Sequence, residues 1–422
     1  MRRLWSIIAF SWACTGTPTR EPFVLRIAIG GPLGEVSPTE EGGGWATLAT
    51  PWVFERFVSV DARGDLTPVR AARIHREDRT AAHLEVRTGC CFSDGQPVEE
   101  VDLVRSLEAA GLLVTVRGTA LTIAPRQRGL PSDALLLNAR VFRGSAGHFV
   151  GSGPFKIASQ TASELRLVRR VPRPDRINDV RLIAYPSPRD AYMHTLKGDA
   201  NFLYDLEPRW VELFQGIPSL QVLRIPPKNA DALTFNGQLP RAERRGLAAA
   251  LDSEQLRQLA YGPSECAESR NVAPSSASLP PGSSLRILSW GSNERLGLAA
   301  RRVLGDRGGE VLFLDPKDVL THLERGDYAM MTSHPNRWPP ITVALNWRTG
   351  APFNLFGYSN PQVDRAVDAG DWAAAEEALR DDPPAVYVCT RNFFAVIDAR
   401  VRNVSFGPLD ALQTLPDWEL LP

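Results

Sequence analysis

"RTGCCFSDGQPVEEVDLVRSL", residues 87–107, crowds two adjacent cysteines, four acids and a Gly-Gln-Pro turn between two apolar runs. As chemistry, the thiols and carboxylates of Cys90, Cys91 and Asp94 offer a redox or acid/base centre. As structure, they mark a strand turning into a helix. "HLEVR" (83–87) alternates like a half-buried strand, Phe92 continues it, and Asp94-Gly95 supplies the turn. Pro97 suits a first helical turn, and Glu99, Glu100 and Asp102 fall where a helix dipole favours acids. A metal needs converging ligands such as C-x-x-C, whereas adjacent cysteines on a strand point to opposite faces. Asp94, Glu99 and Asp102 are therefore expected to be structural.

The same alternation of strand and helix runs outward along the chain. "FVLRIAIG" (23–30) is a buried strand opening into a glycine-rich loop, but G-G-P-L-G does not fit a dinucleotide fingerprint. Residues 111–124 give two short strands, 150–170 a further pair, and "SPRDAYMHTLKGDANFLYDL" (187–206) a capped helix, a Gly198 stop and a strand. "ADALTFNG" (230–237) is a strand, 241–262 two helices, and "SLRILSW", a helix near 293–305 and "GEVLFLD" a βαβ unit. Ser152 lies in no G-x-S-x-G elbow, which argues against a hydrolase.

The 422 residues exceed one ordinary domain and fit two or three. With 48 basic and 48 acidic residues the net charge is zero, so no overall field draws nucleic acid. The only lysines are Lys156, Lys197, Lys228 and Lys317, none in a phosphate-binding G-K-[ST] context. Two arginines precede an apolar run from Leu4 to Ala13, too short to span a bilayer core of about 30 Å but suited to an export signal. Ser11-Trp12-Ala13-Cys14 resembles a bacterial lipobox, which would make Cys14 a lipidation site and Thr15 to Glu21 a tether. Export permits disulfides. Cys266 with Cys389 is one pairing that avoids the adjacent cysteines, and free buried thiols are the alternative.

Several stretches, in order, resemble the extracellular solute-binding proteins of peptide and nickel ABC transporters, the family 5 group. They are "VFERFVSVDARGDLTPVRAARI" (53–74), "LEVRTGCCFSDGQPVEEVDLVRSL" (84–107), "VGSGPFKI" (150–157), "LKGDANF" (196–202), "LTFNG" (233–237), "GLAAALDSEQL" (246–256) and "FGYSNPQVDRAV" (356–367). The resemblance implies an α/β, two-lobed periplasmic-binding-protein fold of the Venus flytrap, class II type, with a small extra α+β subdomain on lobe one. The implied layout is a signal peptide and tether at 1–22, lobe one at 23–231 plus 398–422, a subdomain near 50–149, and lobe two at 232–397. The implied role is the substrate-binding component of an ABC importer, a monomer that captures a peptide or peptide-like small solute between two lobes, working with permease subunits outside the cytoplasm and without a cofactor or catalysis.

Candidate ligand contacts are Trp45, Tyr204, Trp290, Trp338, Trp347 and Arg348: the aromatics offer flat apolar area with a polar tip, and Arg348 could hold a carboxylate. Peptide-binding members carry an aspartate that pairs with the peptide's amino terminus. The corresponding stretch here, "MMTSHPNRWPPITVALNWRTG" (330–350), contains no acid. The ligand is then either not an ordinary peptide or is met by an acid elsewhere. Alternatives are nickel or metal-chelate binding through His334 or other members of the six histidines, against which His75 and His83 sit eight apart on different elements, and an exported enzyme using Cys90, Cys91 or Asp94.

Overall fold

The computed structural model describes residues 22–39, 44–61, 64–76, 81–87, 91–118, 120–126, 130–145, 147–227, 229–262, 265–267, 285–290, 293–314, 316–335, 339–351, 353–407 and 409–421. Cys14, Cys90 and Trp338 lie outside these residues, as do the export signal and the lipobox.

A seven-stranded sheet is built in the order Phe155–Gln160, Glu164–Arg169, Asp179–Tyr185, Val24–Gly30, Phe202–Leu206, Phe393–Asp398, Leu220–Ile225. Its centre, Val24–Gly30, runs parallel to both neighbours. A strand so placed is covered on both faces, which is why its sequence is apolar almost throughout. Leu25, Ile27 and Ile29 pack with Trp52, Phe155 and Trp418, while Ala28 packs on the other side with Ala191 and Tyr192 of the helix Pro188–Lys197. Ser187 caps that helix by accepting from the Asp190 amide, and Gly198 ends it in a left-handed conformation.

The second sheet has six strands, in the order Cys266–Ala267, Ala385–Arg391, Asp231–Phe235, Met330–Ser333, Leu285–Trp290, Gly308–Leu314. The last two are parallel, joined through the helix Glu294–Leu304, as the βαβ reading expects. Cys266 and Cys389 form a disulfide that ties the edge strand to its neighbour.

Two short segments connect the sheets. The outgoing one passes through Pro226 and Pro227 to Asp231, and the return lies between Arg391 and Phe393. The return therefore falls earlier than the boundary at 397/398 expected from sequence. Phe393–Asp398 pairs antiparallel with Phe202–Leu206 and with Leu220–Ile225, and its Val396 and Ile397 are buried in the first sheet.

A third, antiparallel sheet is ordered Ala71–Arg76, Ala82–Val86, Ala120–Pro125, Leu112–Arg117 and is covered by the helix Glu100–Ala109. Leu84, Phe92, Leu103, Leu107, Leu121 and Ile123 form its core, which continues into Ile341, Leu345 and Ala351 from the six-stranded part of the chain. The opening stretch is thus a turn leading into a helix after the strand Ala82–Val86; Cys91 makes only an isolated bridge with Pro97, so Phe92 does not continue that strand. Glu99 accepts from the helix's first turn while its amide donates to Asp102 at 3.0 Å, a reciprocal cap. The helix starts at Glu100, so Pro97 precedes it rather than opening it. Asp94 is paired with Arg143, whose guanidinium also covers the Phe92 ring at 4.9 Å. Arg170 donates to the carbonyls of Cys91 and Phe92 at 2.7 and 3.0 Å. Asp94 and Asp102 are held by structural partners.

Candidate functional site

Where the two crossings meet the carboxyl ends of Val24–Gly30 and Phe202–Leu206, a cavity of about 1080 Å³ opens. Open α/β sheets place ligand sites at such strand ends. Gly30 permits the wall: a side-chain carbon there would lie 2.2 Å from the Pro188 backbone. The first sheet contributes Tyr204 and Asp205, the crossings Pro226, Asp231 and Arg391, and the six-stranded part His334 and Phe353. The third sheet's region adds Ser106 and Arg140, and the C-terminal segment adds Asp410. Trp45 meets the Tyr204 ring edge-on, with centroids 6.3 Å apart. Burial pushes the Tyr204 hydroxyl well above its ordinary value, so it remains a neutral donor.

Among the described residues, four acids line the cavity: Asp205, Glu207, Asp231 and Asp410. Asp231, at the outgoing crossing, is a hub. Arg391 Nε stands 2.5 Å from its Oδ2, His334 Nδ1 lies 2.6 Å from its Oδ1, and the Tyr261 hydroxyl donates to it at 2.7 Å. Burial opposes ionisation of Asp231, but the His334 hydrogen bond, the Arg391 charge and the Tyr261 hydroxyl outweigh it and hold the carboxyl below its usual range. Asn293 completes the network. Its amide nitrogen is 2.6 Å from His334 Nε2, and its oxygen accepts from Arg391 at 2.9 Å. Both ring nitrogens of His334 are thereby engaged.

Asp410 pairs with Arg56 at 2.7 Å and with Arg140 at 3.4 Å. Glu207 pairs with Arg209 at 2.6 Å. Asp205 differs: it has no hydrogen bond or ion pair among the described residues, and its backbone sits at φ 70°, unusual for a residue with a side chain. The pairing of its strand with Phe393–Asp398 shifts register between Leu203 and Leu206, which releases Asp205 from the ladder. Burial pushes its carboxyl up to about 6; Arg391 and His334 oppose that shift and Glu207 adds to it.

No family model matches the chain, and no curated relative matches it by sequence. Solved structures do. The oligopeptide-binding protein AppA of Bacillus subtilis, in complex with a nonapeptide, matches with a TM-score of 0.72 and 13% identity over 95% of this chain and 99% of that one. DppA of Helicobacter pylori, in complex with the peptide STSA, gives 0.75 and 12% over 95% and 98%. NikA of Staphylococcus aureus, in complex with Ni(L-His)2, gives 0.71 and 13% over 92% and 97%. The chain has the two-lobed fold of these solute-binding proteins.

On this two-lobed fold the residues singled out from sequence separate. Trp45 and Tyr204 line the cavity. Trp290 stands behind the wall: its ring meets His334 edge-on at 6.1 Å and its Nε1 donates to the Thr332 carbonyl. Trp347 is buried in a core with Tyr358, away from the cavity, because the helix Thr342–Trp347 turns it inward. Arg348 binds Asp368 at 2.9 Å and the Thr349 carbonyl at 3.1 Å, so it too faces elsewhere. His75 and His83 oppose each other across a ladder of the third sheet, far along the chain from the crossings.

Sequence reasoning passed over Asp205, Asp231, Arg391, Arg56, Arg140 and Asp410. For Asp205 a signal existed: "FLYDL" is a doubly covered strand interrupted by one acid, and a charge there has a cost that asks for a reason. The arginine pairings join residues 160 to 354 positions apart and left no local pattern.

Proposed function

We propose that this protein is the extracytoplasmic substrate-binding component of an ABC importer and captures a peptide or peptide-like small solute between its lobes. The observation that carries the reading is the cavity of about 1080 Å³ at the two crossings, where aromatic and charged side chains converge. That size lies near the upper end for small-molecule sites, and motion about two short connections is the hinge closure by which two-lobed proteins enclose solutes. Trp45 and Tyr204 are the proposed aromatic contacts. Delivery would be to permease subunits by a monomer held outside the cytoplasm, with Cys14 as the proposed lipid anchor; labelled palmitate incorporated into wild type and absent from Cys14→Ser would support the anchor.

The nickel-chelate alternative has less support. His334, the one histidine lining the cavity among the described residues, has both ring nitrogens occupied. The enzyme alternative is likewise weaker, since Asp94 is tied to Arg143 and is not among the residues that line the cavity.

Native mass spectrometry tests the reading. The gently purified protein is challenged with pooled di- to pentapeptides, with sugars, and with nickel–histidine. The expected result is a one-to-one adduct with peptides. A sugar or nickel–histidine adduct with no peptide adduct would overturn the peptide class.

A further inference from the structure

We propose that Asp205 is the anchor for a positively charged group of the captured solute, an ammonium or guanidinium, so that this chain meets ligand cations from the seven-stranded lobe. The assignment rests on the solute-capture reading above.

Charge accounting around the cavity leads to it. Of the four lining acids among the described residues, Glu207, Asp231 and Asp410 each hold a cation of the protein within 2.7 Å. Asp205 holds none among the described residues, although it lines the same cavity. Asp205 is half-buried, and a carboxylate held partly away from water without a partner is unfavourable unless something supplies the missing charge. The protein's own candidates do not: Arg391 is committed to Asp231 and Asn293, and His334 to the same two residues. Nor is the position incidental to the chain path. The left-handed backbone and the broken register carry Asp205 out of the ladder and onto the cavity wall, a local strain of the kind that concentrates where a side chain must be aimed.

The surroundings suit a cation. Tyr192 and Tyr204 line the same cavity as Asp205, and Tyr204 precedes it in the strand. Aromatic faces beside a carboxylate make a site for ammonium or guanidinium. The location also explains how residues 330–350 can do without an acid: of that stretch only His334 reaches the cavity among the described residues.

Two pooled peptide libraries lacking Lys, Arg and His, one with free and one with acetylated amino termini, test the assignment by native mass spectrometry and titration calorimetry. A third, acetylated and containing Lys and Arg, separates the two sources of cation. Wild type is expected to retain peptides from the first library, the third, or both, and not from the second. Asp205→Asn should bind the retained peptides roughly thirtyfold or more weakly, as when one partner of a desolvated charge pair is removed. Asparagine tolerates the left-handed backbone, and a cooperative thermal transition will report that the variant is folded. Equal retention from the acetylated, cation-free library, or unchanged affinity in Asp205→Asn, would overturn the assignment and leave solute capture standing. Retention of no peptide from any library would overturn the peptide reading and the assignment with it.

Discussion

Asp231 receives an arginine, a histidine and a tyrosine hydroxyl, whereas Asp205, on the wall of the same cavity, receives nothing from the described residues. Both are acids in a poorly solvated place. The difference is in what completes them: the first is finished by the fold, and its neighbours come from segments that meet only when the crossings are assembled. The second is left for a group the chain does not carry. Stability and binding are thus divided between two carboxylates, and perturbing each should move the protein in opposite directions.

The largest effect is expected on the completed side. Arg391→Met strands Asp231 as a buried anion and also takes a donor from Asn293. Removing one partner of a buried pair costs about 3–5 kcal/mol. Urea unfolding should show a lower midpoint at an unchanged slope, the product of the two falling by that amount. A loss below about 1 kcal/mol would mean that the Tyr261 and His334 contacts suffice for Asp231.

On the incomplete side the sign reverses. Asp205→Asn should stabilise the ligand-free protein at pH 7.5, by at most about 3 kcal/mol at about 1.4 kcal/mol per unit of displaced pKa. Partial exposure to the cavity's water lowers that ceiling. Destabilisation by the variant would indicate that Asp205 has a structural partner and would end the contrast with Asp231.

The two acids also occupy different pH windows. With its carboxyl raised to about 6, folded Asp205 holds its proton more tightly than the unfolded chain does, so its contribution falls as pH rises from about 4 to about 6. Asp231 is held low, and its contribution is full above about 4 and lost as pH falls through its folded value. The groups acting on Asp205 are Arg391, Glu207 and His334. Melting temperatures taken from pH 4 to 7 for wild type and Asp205→Asn should diverge progressively in favour of the variant. Parallel profiles would contradict the raised carboxyl.

Much of this architecture was legible from local pattern. The turn and helix at 87–107, the paired strands at 112–125 and the βαβ unit at 285–314 follow from periodicity and caps that act within a few residues. The return crossing was misplaced because "FFAVID" looks alike whichever sheet accepts it, and only pairing with Phe202–Leu206 decides. Site residues were harder for a related reason. Trp347 and Trp45 are indistinguishable as letters, and burial against Tyr358 rather than exposure on a cavity separates them. Arg56 and Asp410 meet across 354 positions, a contact that leaves no trace in spacing.

The smallest effect, and the finest test of the contrast, belongs to Trp45. It packs edge-on against Tyr204, the residue before Asp205, and an aromatic pair of this kind contributes about 0.5–1.5 kcal/mol beyond its buried area. If Trp45 mainly holds the strand end, Trp45→Ala should lower stability by about that much and peptide affinity in proportion, while Trp45→Phe restores both. If it is itself a contact surface for the solute, affinity should fall about tenfold or more with little change in unfolding midpoint. Calorimetry beside urea unfolding on the two variants separates the outcomes. We expect the larger change in affinity, because Trp45 borders the open cavity on one side while the Tyr204 ring and the core hold it on the other.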